Sequence, residues 1–231
     1  TTIGKANEIP AQNVAAGVSG QVLGGFVTDI KGEAISVQSM VFTVSTSGTG
    51  VGLLTNVSLY DANGAVVAGP VDATGAGTSL TFTDTVALPT GRKIWTIKGK
   101  LPSAFTNGGT VIISTTPSSG WTSITGQTTG NSVTLTQGAF SMNTMTVRAA
   151  TLAVAVSSTP AAQNIVAGGQ GVTFANLQFD ATQSGEDIRF SSMGLTLGGG
   201  TNALEGAYNN LSSCQLFDGS TALNGGSNVV N

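Results

Sequence analysis

The sequence predicts an all-β chain: two tandem antiparallel β-sandwich units, immunoglobulin-like or jelly-roll-like, over 1–150 and 151–231, the second incomplete. Three observations carry that expectation. Short β-branched runs alternate apolar residues with Thr, Ser or Lys, the mark of strands with one buried and one wet face. No stretch holds apolar residues at the i, i+3, i+4, i+7 spacing of an amphipathic helix. Finally, the opening of the chain is written a second time. "AQNVAAG" from Ala11 and "AQNIVAG" from Ala162 agree at five of seven positions, at an offset of 151 residues.

The strands follow in order. In the first unit "VFTVST", "TFTDTVAL", "KIWTIKGKL", "TVIISTTP" and "VTLTQ" are separated by Gly, Pro and Asn-Gly punctuation. Leu23, Phe26 and Asp29 fall on Phe174, Leu177 and Asp180 at the same offset. After a two-residue insertion "EAISVQSM" meets "EDIRFSSM", and after another "LTNVSLYD" meets "LSSCQLFD". The insertions fall in Gly/Ser/Thr/Asn stretches, as surface loops tolerate. The second unit reaches Asn231 at a point matching Val71 or Asp72 of the first, with nothing for the later strands. The expectation is either a piece of a longer protein or a half-sandwich completed by a neighbour's strand.

Within each copy, Leu23 and Phe26, and likewise Phe174 and Leu177, lie three apart. A period-two strand buries both only with an extra residue, so either a β-bulge separates each pair or Leu23 and Phe174 sit at strand ends. Asp61 ("DANG") and Asp218 ("DGS") read as turn formers after a strand. Met145–Val156 has no Gly or Pro, and reads as one strand running between the units.

Candidate chemistry is sparse. Histidine is absent, which removes the commonest general base and zinc ligand. Cys214 therefore has no base to activate it. It aligns with Val57 and shares strand parity with Leu216, which reads as a small buried core residue. Asp29, Glu33, Asp180, Glu186 and Asp187 bound the same loop in the two copies. They are weak calcium candidates, since the ion wants about six to eight oxygens; otherwise they are strand-end charges that discourage edge pairing. No other cofactor is expected. Trp95 alternates with Ile94 and Ile97 as a core residue, whereas Trp121, near a turn, is either core or an exposed ligand or interface residue. Asn56 and Asn210 head Asn-x-Ser sequons and are possible glycosylation positions. The glycine-rich "SGTGVG" and "GGGTNALEG" lack the lysine and following helix of a phosphate loop.

Only 8% of residues are charged, against roughly 25% in ordinary domains. The polar surface is instead built from hydroxyls and amides, which lets copies pack closely. A net charge of −3 with eight Lys plus Arg argues against nucleic acid as a partner. No run of about 18 apolar residues suggests a transmembrane segment, and Thr1 does not open a signal peptide.

The stretch "TLAVAVSSTPAAQNIVAGGQGVTFANLQFDATQSGEDIRFSSMGLTL" resembles tandem β-sandwich repeats of large secreted bacterial surface proteins, above all those of ultrasmall candidate-phyla bacteria. "LPTGRKIWTIKGKL" is similar to the later strands of such repeats. The resemblance implies an extracellular or cell-surface location, a structural, adhesive or surface-layer role, and no catalytic residues. Three non-enzymatic classes stay open on this reading: a self-assembling surface layer, sheath or filament; an adhesin or carbohydrate-binding module with glycan partners; and a viral tail or capsid decoration protein.

Overall fold

In the computed structural model, residues 1–50, 52–75, 78–189, 191–194 and 212–225 are described. The chain divides into a unit spanning Thr1–Ile188 and a unit spanning Arg189–Asn231. Among the described residues the fold is almost wholly β, with antiparallel sheets predominating and no closed barrel.

Two sheets form the first unit's body. One is ordered β1 (Thr2–Lys5), β3 (Gln21–Ile30), β9 (Gly91–Lys100), β5 (Thr55–Tyr60) and β6 (Val66–Val71). The other runs β11 (Trp121–Gly126), β4 (Ile35–Ser47), β10 (Thr110–Thr115), β13 (Met145–Val147) and β2 (Gln12–Val14). The opposite edge of β4 carries β7 (Ser79–Phe82) and β8 (Val86–Leu88), and β12 (Phe140–Ser141) pairs with β10. A single four-residue turn of helix, α1 (Pro117–Gly120), separates β10 from β11. Both then run along the same edge of β4. "TFTDTVAL" is thus two strands, and Val133–Gln137, expected as a strand, is irregular although Leu135 is buried.

The core lies between these sheets, and aromatics meet at its centre. Phe26 and Trp95 come from the first sheet; Phe42, Phe82 and Trp121 come from the second. Phe26 lies 5.4 Å from Trp121, 5.8 Å from Phe42 and 6.2 Å from Trp95, ring centre to ring centre. These separations fall in the favourable range of about 4.5–7 Å. Each buried indole must also satisfy its N–H. Trp95 Nε1 donates to Thr28 Oγ1 at 2.9 Å, and Trp121 Nε1 donates to Thr115 Oγ1 at 3.0 Å. Both threonines are buried. Threonine on a strand therefore serves as an internal acceptor here, besides marking the wet face.

The three-residue spacing in β3 is resolved by a bulge. Val22 pairs with Lys98 and Gly24 with Ile97, so Leu23 is the extra residue. Leu23 and Phe26 are consequently both buried. Glycine is required just beyond it. A Cβ on Gly24 would lie 2.7 Å from Met142 Sδ, and one on Gly25 would lie 2.7 Å from the Trp95 carbonyl oxygen.

The second copy's opening strands belong to the unit spanning Thr1–Ile188. β14 (Ala153–Val156) pairs with β15 (Leu177–Asp180) through Ala153↔Asp180, Val154↔Phe179, Ala155↔Gln178 and Val156↔Leu177. β1 and β3 pair through Thr2↔Asp29, Ile3↔Thr28, Gly4↔Val27 and Lys5↔Phe26. Adding 151 to either member of each pair in the first copy gives the corresponding pair in the second. Phe174 lies outside β15 and is exposed, so in this copy the strand-end reading holds rather than the bulge. Met145–Val156 is not one strand. It comprises β13, the irregular Arg148–Leu152, and β14, because β13 is held by its parallel partner β2 while β14 belongs to a separate two-stranded sheet. The copies touch where Asn13 Nδ2 donates to the Thr182 carbonyl at 3.2 Å.

In the unit spanning Arg189–Asn231, β16 (Phe217–Asp218) and β17 (Thr221–Ala222) form a hairpin around Gly219–Ser220. Gly219 supplies a positive φ of 56°. Asp218 thus opens a hairpin turn, as Asp61 does after β5. There Asp61 Oδ1 accepts the N–H groups of Asn63 and Ala65, each at 2.9 Å.

Candidate functional site

Asp29, Glu33, Asp180 and Glu186 each make separate contacts. Asp29, at the end of β3, pairs with Lys31 Nζ at 3.0 Å. Glu33 follows in the loop to β4 and accepts three hydrogen bonds from the loop after β11. These come from Thr128 N–H at 2.8 Å, Thr129 N–H at 2.9 Å and the Thr129 hydroxyl at 2.7 Å. The Thr129 amide, followed by its hydroxyl and the Thr128 amide, holds this carboxyl below its ordinary value. Glu33 is therefore a clasp between two loops. Asp180, the counterpart of Asp29, turns back on its own loop and accepts from Thr182 Oγ1 at 2.7 Å and Thr182 N–H at 2.8 Å. Those two bonds, the hydroxyl's foremost, lower its pKa as well. Glu186 engages Ser184 through its backbone. Among the described residues, no three His, Cys, Asp or Glu side chains gather where they could hold a metal ion.

Trp121 takes the core alternative of the two its position allowed. It is only 3% exposed, packed on Phe26 and Phe42 with its N–H satisfied by Thr115, so it presents no face to a sugar or a partner. The helical turn Pro117–Gly120, buried only at Pro117, returns the chain to β4, where Trp121 pairs with Met40 and turns inward. Cys214 also departs from expectation. It is half-buried rather than buried, although it and Leu216 do share the more protected parity against exposed Gln215 and Phe217. Asn56 is exposed at a positive φ of 51°, its N–H bonded to Asp72 Oδ1 at 2.8 Å, while Ser58 of its sequon is buried. Asn210 lies outside the described residues.

No family model, no curated protein and no solved structure matches this chain. Function must therefore be argued from its own surface.

The feature that stands out there is apolar. Among the described residues, most large exposed hydrophobics lie in the second copy, and three of them occupy positions whose first-copy counterparts are core. Ile3 is 4% exposed and Val154 is 56%; Val14 is 1% and Ile165 is 52%; Leu23 is 0% and Phe174 is 54%. Ile165, Val172 and Phe174, with Pro160 and Gln163, line an open groove of about 230 Å³ at the head of that copy. Residue-type reasoning missed this groove, because a strand's sequence reveals which residues want burial but not whether a cover is present. The repeat alignment is the signal that finds it. No helix among the described residues is long and apolar enough to cross a membrane.

Proposed function

We propose that the chain is a structural protein of the cell exterior, whose β-sandwich repeats build a self-assembling surface layer, sheath or filament. The observation that carries this reading is the recurrence of one strand register at a fixed offset of 151 residues. A scaffold written in tandem sets a spacing, and spacing is what a lattice or filament needs from its subunits. The low charge of the chain supports it further, since hydroxyl- and amide-rich faces approach one another without strong repulsion. Exposed Val154, Val156 and Phe174 supply apolar area for association.

An adhesin or carbohydrate-binding role loses its foremost residue with Trp121 in the core. Negative-stain electron microscopy of the purified chain tests the proposal. Ordered sheets or filaments of regular spacing are expected, and monodisperse particles at every concentration and ionic condition would overturn it.

A further inference from the structure

We propose that the end of the first copy, where β2 and β13 finish, is an interaction surface for the turn over residues 181–187, and that Gly185 is the residue that lets this turn seat there. The turn acts as a second tether between the copies and restricts the swivel that their covalent link alone would allow. The inference goes beyond assembly and stands whether or not chains associate.

The covalent link by itself is a weak constraint. β13 finishes at Val147, and the Arg148 N–H donates to the Val14 carbonyl at 2.9 Å. Residues 149–152 then form no strand before β14 begins at Ala153. A short irregular segment between two sheets leaves relative motion as the default expectation.

The turn supplies the second attachment. The Thr182 carbonyl accepts from Asn13 Nδ2 at 3.2 Å. Three residues on, the backbone of Gly185 lies against the main-chain carbonyls with which β2 and the segment after β13 end. A Cβ on Gly185 would lie 2.4 Å from the Arg148 oxygen and 2.8 Å from the Val14 oxygen. Neither obstacle is a flexible side chain that could swing aside, so only glycine permits this approach. The turn also arrives preformed. Asp180 Oδ1 accepts from the Thr182 N–H and hydroxyl, the Ser184 N–H donates to the Ala181 carbonyl at 2.8 Å, and the Ser184 hydroxyl donates to the Glu186 carbonyl at 2.6 Å. A turn already ordered by its own bonds loses little freedom when it docks.

The corresponding turn of the first copy is put to another use. It is shorter by two residues between Asp29 and Glu33 than the second copy's is between Asp180 and Glu186. Its Glu33 is held by Thr128 and Thr129 of its own sandwich. The two added residues and the bare backbone of Gly185 are what fit the second copy's turn to Val14 and Arg148.

The test measures the distance distribution between spin labels at Ser119→Cys and Gln178→Cys, both exposed, in the full chain carrying Cys214→Ser. One narrow distribution is expected. Gly185→Ala should widen it about twofold by releasing the docked turn, and Asn13→Ala should widen it less, since it removes a single bond. Gly138→Ala, where a Cβ meets nothing within 4 Å, should leave it unchanged. The cross-strand contact of Val154 with Phe179, followed by NMR, should persist in every variant, which separates a freed joint from a melted sheet. Equal widths for the parent and Gly185→Ala, whether both narrow or both broad, would overturn the proposal. So would loss of the Val154–Phe179 contact in Gly185→Ala, because the glycine would then serve its own sheet rather than the joint.

Discussion

Replacing Thr115 by valine probes how the core tolerates its polar atoms. The hydroxyl accepts the Trp121 indole N–H at 3.0 Å and donates to the Val41 carbonyl at 2.7 Å. Valine has the same shape, so no cavity forms. What changes is that a buried indole N–H loses its acceptor and a strand carbonyl loses one donor. Orphaning the N–H costs about 1–3 kcal/mol and the second bond contributes about 1 kcal/mol, for about 2–4 kcal/mol in total. With a urea slope near 2 kcal/mol per molar, the unfolding midpoint should fall by about 1–2 M. Thr115→Ser keeps both bonds and loses only a methyl, so it should recover most of that difference. Urea titration followed by tryptophan fluorescence measures both variants. A Thr115→Val loss within about 0.5 kcal/mol, the range of an ordinary surface change, would refute the assignment of Thr115 as the indole's necessary acceptor.

Other expectations follow from the same geometry. Glu33 accepts bonds that hold its carboxyl below the ordinary 4.5, so its stabilisation is complete above that value and fades as pH falls through the lower folded value. Glu33→Gln should therefore flatten the acid limb of a stability–pH curve measured by thermal melting, and an unchanged limb would count against the clasp. Leu23→Ala should destabilise by about 2–5 kcal/mol, whereas Phe174→Ala, at the matching but exposed position, should cost under about 0.5 kcal/mol; parallel urea titrations compare them. Asp61→Ala removes the acceptor of two backbone N–H groups in the β5–β6 turn and should cost about 0.5–1.5 kcal/mol by the same assay.

What was legible in the sequence was what is written locally or twice. Period-two alternation announced β4, β9 and β10, and the Leu23–Phe26 spacing offered the bulge as one of two readings, the one β3 takes. The 151-residue offset anticipated the register of β14 on β15. Asp61 and Asp218 were readable because an Asx turn is decided within a few residues. The remainder depends on distant partners. The parallel pairing of β13 with β2 joins residues at opposite ends of the first copy, and no local pattern encodes it. For that reason Met145–Val156 read as one strand and the groove went unseen. Trp121 was ambiguous because the short turn before it leaves strand parity undefined until β4 is in place. Glu33 read as a strand-end charge or weak metal ligand because its partners, Thr128 and Thr129, lie about a hundred residues away.

The central claim is that one scaffold is repeated, strand register included. Interstrand proton–proton contacts in a solution NMR spectrum of the intact chain test it most directly. The account predicts contacts across Val154 and Phe179, and across Val156 and Leu177, matching those of Ile3 with Thr28 and Lys5 with Phe26. A second-copy pairing shifted by even one residue, or no pairing of Ala153–Val156 with Leu177–Asp180, would contradict it.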